Sequence, residues 1–63
     1  MKQHALRLID ASRRLRRRVE SLNPLKDTEA YEEAFRALAA VDGELRDLER
    51  DGIVSWAGGW RVT

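Results

Sequence analysis

Apolar residues recur at spacings of three and four along the first part of the chain. Ala5, Leu8, Ser12, Leu15, Val19 and Leu22 form one stripe, broken only by the small polar Ser12, and this period predicts an amphipathic helix over residues 4–22. Leu6 and Ile9 flank the stripe near its start and widen it where a further element can pack. Asn23-Pro24 ends the helix, because the residue before a proline is pushed out of the α region and the ring nitrogen has no hydrogen to donate. After a connection at 23–27, Tyr31, Ala34, Leu38, Val41, Leu45 and Leu48 repeat the spacing with Phe35 beside them, a heptad-like seam that predicts a second helix over 28–51. Asp27 or Thr28 is placed to accept from the free amides of its first turn, and Glu29, Glu32 and Glu33 sit at the positive end of its dipole. Gly43 lies inside this helix, where it costs about 1 kcal/mol relative to alanine, and the helix is expected to run through it.

The period then changes. Gly52 is a helix stop, and Ile53-Val54-Ser55-Trp56 and Trp60-Arg61-Val62-Thr63 are β-rich runs on either side of Gly58-Gly59, predicting a β-hairpin over 53–63. A two-residue turn at the glycines sets Ala57 opposite Trp60 and Trp56 opposite Arg61. Ile53, Ala57, Trp60 and Val62 then share the apolar face, and Val54, Trp56, Arg61 and Thr63 the outer one. The expected fold is mainly α, a two-helix antiparallel hairpin with a short C-terminal β-hairpin, in one domain over 1–63.

Length limits what this fold can bury. A chain of 63 residues hides only roughly 60% of its unfolded surface, and with no cysteine and one histidine it has neither a disulfide nor the ligands of a zinc site. No metal or cofactor is expected, and self-association is the remaining support: a homodimer in which two hairpins form a four-helix bundle. No grouping of nucleophile, base and orienting residue is present, so the chain is read as a non-enzymatic module. The N-terminus is too polar for a signal peptide and no stretch approaches a membrane span, which points to the cytoplasm. Its size is one that phage and mobile-element products share.

Charge divides the helices sharply. The first carries Lys2, Arg7, Arg13, Arg14, Arg16, Arg17 and Arg18 against Asp10 and Glu20, a balance of +5. Residues 26–51 carry Lys26, Arg36, Arg46 and Arg50 against nine carboxylates, a balance of −5. Antiparallel packing sets these charges side by side, which selects orientation more than it adds stability. The run from Arg13 to Arg18 has two readings. It meets the acidic helix, leaving Arg14 and Arg17 with Trp56 and Arg61 as partner-binding residues, since Trp and Arg are enriched at interface hot spots. Alternatively Arg13, Arg14, Arg16, Arg17, Arg18 and Arg61 contact nucleic-acid phosphates.

Two resemblances bear on this choice. Asn23, Pro24, Tyr31, Phe35, Leu38, Ala40, Arg46 and Leu48, within the span from Leu15 to Leu48, resemble the C-terminal helical hairpin of bacterial DnaG-type primases, particularly the actinobacterial form. That resemblance implies a hairpin that docks on a replicative helicase. Residues 45–63, LRDLERDGIVSWAGGWRVT, separately resemble the end of a winged-helix domain, which implies DNA binding with Trp56 and Arg61 on the wing. A winged helix needs three helices, so the second reading requires a break at Gly43. The expected function is accordingly a small protein–protein interaction module, an adaptor or inhibitor of replication machinery, with a winged-helix-like DNA-binding regulator as the alternative.

Overall fold

Helix α1 spans Lys2–Ser21 and α2 spans Thr28–Arg50, followed by strands β1, Val54–Trp56, and β2, Trp60–Val62, in a computed structural model that describes residues 2–63. The chain is mainly helical, with a two-stranded antiparallel β-hairpin at its C-terminal end. The helices run antiparallel, which brings Ser12 against Asp42. α2 is continuous through Gly43. Its 23 residues account for most of the molecule's 39 Å length.

The core lies at one end of this rod. Ala5 and Ile9 from the start of α1, Leu45 from the end of α2, and Val54 and Trp60 from the hairpin form the buried cluster, with Leu8, Val41, Leu48, Ile53 and Val62 packed against it. Ile9 is therefore a core residue rather than a flank, whereas Leu6 is exposed. The hairpin lies on the Ile9 side of α1 and leaves Leu6 uncovered. Away from the hairpin only two helices share the burden. Ala34 is buried there, but Leu15 and Leu38, expected at the centre of the seam, are half-buried, and Leu25 and Phe35 are exposed.

A tight turn folds the hairpin back over the helix ends. The Gly52 N–H donates to the Glu49 carbonyl at 3.0 Å and the Ile53 N–H to the Leu48 carbonyl at 2.9 Å, the paired bonds of a Schellman ending. Gly52 occupies its left-handed position at φ 79°. Ile53 and Leu48 both pack on the core, supplying the apolar contact that accompanies this motif. Thr63 closes the other side: its N–H donates to the Ile53 carbonyl at 3.1 Å and its hydroxyl to the Gly52 carbonyl at 2.6 Å.

Two local expectations are corrected. The hairpin pairs Val54 with Val62, Ser55 with Arg61 and Trp56 with Trp60, so its loop is three residues, Ala57–Gly59, with Gly58 at φ 70°. This register lies one residue from the two-residue-turn register, and in a strand one residue exchanges the faces. Val54, not Ala57, is thereby buried, both tryptophans share the inner face, and Arg61 stands beyond them with Ser55. Second, Asp27 does not cap α2 with its side chain. Its carboxylate turns back to accept from the Asn23 N–H at 3.2 Å, while the Asn23 side-chain oxygen accepts from the Leu25 N–H at 2.9 Å. The Thr28 hydroxyl donates to the Pro24 carbonyl at 3.0 Å. These side chains stitch the connection itself.

The two glycines that bracket the end of α2 make opposite predictions. No atom lies within 4 Å of a Cβ added at Gly43, so Gly43→Ala is expected to stabilise the fold by about 1 kcal/mol. At Gly52 the space is equally open, but positive φ makes Gly52→Ala cost about 1–2 kcal/mol. Thermal unfolding followed by circular dichroism should show melting temperatures displaced in opposite directions, by roughly 4–8 °C per kcal/mol.

Candidate functional site

Asp42 joins the three structural elements. It sits beside Val41 in the seam of α2, at the level where α1 presents Ser12 rather than a large apolar residue. The Ser12 hydroxyl donates to Asp42 Oδ1 at 3.0 Å, and the Trp60 indole Nε1–H donates to the same oxygen at 3.3 Å. Arg16 Nη2 lies 3.5 Å from Oδ2. Ser12 is buried and Asp42 keeps a quarter of its side chain exposed, so the carboxylate offsets the cost of burying a hydroxyl and an indole N–H while retaining partial hydration.

Arg16 extends this arrangement outward. Its guanidinium carbon stands 5.4 Å from the centre of the Trp56 ring, within cation–π range. The Trp56 ring meets Trp60 edge to face, with centroids 5.2 Å apart and 73° between the planes. Asp42, Arg16, Trp56 and Trp60 thus form a closed circuit of one ion pair, one cation–π contact, one aromatic pair and one hydrogen bond. The circuit holds Trp56 in place although it is 48% exposed.

Two grooves open beside this circuit. One, of about 240 Å³, runs between α1 and the hairpin loop and is lined by Arg13, Arg16, Arg61 and Trp56 above Gly58 and Gly59, with no carboxylate among its lining residues. The other, of about 430 Å³, lies against α2, where Arg16 and Arg46 face Asp42 and Glu49. The first is a cationic, aromatic cleft; the second is mixed in charge.

Four of the residues singled out from the sequence therefore converge: Trp56, Arg61, Arg13 and Arg16. Trp56 takes Arg16 as its cation, not Arg61 as the two-residue turn required. Arg14 pairs instead with Asp10 on its own helix at 2.9 Å, and Arg17 and Arg18 are exposed and line neither groove. The opposite charges of the two helices were expected to meet along the whole seam. Among the described residues, Arg16 to Asp42 is the one ion pair between the helices. The arginines are spread around α1, and most point away from α2. Sequence reasoning did not name Asp42, Arg46 or Glu49 as site residues, Arg46 entering through the primase resemblance and all three through the charge balance. The available signal for Asp42 was a serine interrupting the α1 stripe and an aspartate beside the α2 stripe at the matching antiparallel level.

Among the described residues no group of three or more His, Asp or Glu side chains converges to hold a metal ion, and no helix is long and apolar enough to cross a membrane. Comparison of the chain with protein-family models, with curated proteins and with solved structures found no match in any of the three.

Removing the Asp42 acceptor leaves the Ser12 and Trp60 donors without their partner in a partly buried setting. Asp42→Ala is expected to destabilise the fold by about 1–3 kcal/mol. Asp42→Asn retains an acceptor oxygen and should cost less. Denaturant titrations of the two variants and the parent protein check this order, and Asp42→Ala should also raise the solvent exposure of Trp60 fluorescence.

Proposed function

We propose that the protein is a non-enzymatic protein–protein interaction module, which takes an acidic segment of its partner into the cleft beside Trp56. The observation that carries this reading is the convergence of Arg13, Arg16 and Arg61 with a held, half-exposed tryptophan, with no carboxylate lining the cleft. Guanidinium groups grip carboxylates with paired hydrogen bonds, and an aromatic anchor whose rotamer is already held loses little entropy on binding. Arg16 is pre-positioned by Asp42, and Arg13 and Arg61 make no ion pair among the described residues.

The resemblance of residues 15–48 to a primase hairpin supports a replicative helicase as the partner and an adaptor or inhibitor as the role, acting in the cytoplasm. The residues behind that resemblance form a hairpin with Tyr31 and Phe35 stacked, ring centroids 6.3 Å apart, and Phe35 exposed. Nucleic acid is the second reading, favoured by the same three arginines beside an indole on which a base can stack. The rest of the molecule weighs against it: α2 is a single helix, so the described residues form two helices where a winged helix has three, and Glu44, Asp47 and Glu49 along α2, with Asp51 at its end, repel a phosphate backbone.

Affinity capture from source-cell lysate, with and without nuclease, separates these readings. The expected result is a protein retained after nuclease treatment and lost when the bait carries Trp56→Ala and Arg61→Glu. Recovery that vanishes with nuclease, together with duplex affinity falling about 0.9 log units per log unit of salt for each phosphate contacted, assigns the cleft to nucleic acid.

A further inference from the structure

The helical pair has a second face that the hairpin leaves partly open, although Leu8, Val41 and Leu48 on it also touch the core. On α1 the residues beside the hairpin clefts are Ile9, Ser12, Arg13 and Arg16, and on α2 they are Asp42, Arg46 and Glu49. About a third of a turn away on each helix runs another stripe, Leu8, Leu15 and Leu22 on α1 and Ala37, Val41 and Leu48 on α2. Every one of these six is half-buried. Their spacings of seven, and of four and seven, are those of a helical-bundle seam.

The charges flanking this stripe say what covers it. Arg7 and Arg18 border it on α1, Glu33 and Glu44 border it on α2, and all four are exposed and outside the ion pairs of the described residues. We propose that a second copy of the chain seats on this face, closing an antiparallel four-helix bundle about a two-fold axis parallel to the helices. In that arrangement α1 of one copy lies beside α2 of the other, running antiparallel to it. The contact of Ser12 with Asp42 sets the level of the helices, and the two-fold axis preserves it between copies. Arg18 then falls about one turn from Glu33 of the second copy, and Arg7 about one turn from its Glu44. The other pairing sets α1 against α1, each with a balance of +5, and is disfavoured by repulsion. The Trp56 cleft stays open, because it lies on the far side of each pair. Two hairpins joined this way also supply the buried area that a lone 63-residue chain lacks.

Sedimentation equilibrium tests the assembly. The expected mass is twice 7.3 kDa, unchanged in the Trp56→Ala and Arg61→Glu variant. Arg18→Glu alone and Glu33→Arg alone are exposed changes that leave the helices intact and should each weaken the dimer about tenfold, since each is repeated twice across the axis. Combining them should restore parental affinity. Leu15→Glu should give a folded monomer or an unfolded chain, and in either case no dimer. A parental mass of 7.3 kDa at millimolar concentration overturns the proposal. Single charge reversals that leave dimerisation unaltered overturn it as well.

Discussion

A carboxylate in the seam of a two-helix pair has to be satisfied by whatever packs against it, and at Asp42 three side chains from two other elements do so. Ser12 comes from α1, the Trp60 indole from β2, and Arg16 from one turn further along α1. A hairpin of two three-residue strands has little stability of its own. It is held here because Trp60 brings both a large apolar surface to Ile9 and Leu45 and a hydrogen-bond donor to Asp42. The strand register follows from that docking: only the observed one puts Val54, Trp56, Trp60 and Val62 on the same face, so that two of them enter the core and Trp56 reaches Arg16.

Helical geometry divides the arginine run into separate roles. Arg16 alone faces the seam and becomes part of the polar circuit, Arg14 pairs along its own helix with Asp10, and Arg13 lines the cleft that Arg61 also borders. Arg18 borders the uncovered stripe. A segment that reads as one basic block is therefore distributed over several surfaces, and the cationic cleft owes its arginines to two distant stretches of chain.

The two helices, their antiparallel order, the stop at Gly52 and the β-hairpin were legible because each rests on local signals: a period of 3.6, an Asn-Pro break, a glycine with positive φ, and β-rich runs around two glycines. Register was not legible. Gly58-Gly59 suits a two-residue turn as well as a three-residue loop, and the choice depends on Trp60 finding Asp42 across 18 residues. The depth of Ile9 was hidden for the same reason, since what buries it is the hairpin rather than the partner helix. Half of the cleft was named from residue type, through Trp56 and Arg61. Its other side, Arg13 and Arg16, became distinct from Arg14 and Arg17 only once α1 had a fixed rotation against α2.

The dependence of the hairpin on Trp60 is tested most directly by hydrogen exchange at the two indole nitrogens, read by nuclear magnetic resonance. The Trp60 Nε1–H, buried and donating to Asp42, is expected to exchange only through unfolding of the core, orders of magnitude more slowly than the exposed Trp56 Nε1–H. Equally rapid exchange at both indoles would contradict the account, because it would mean that the hairpin leaves the helices while they remain folded.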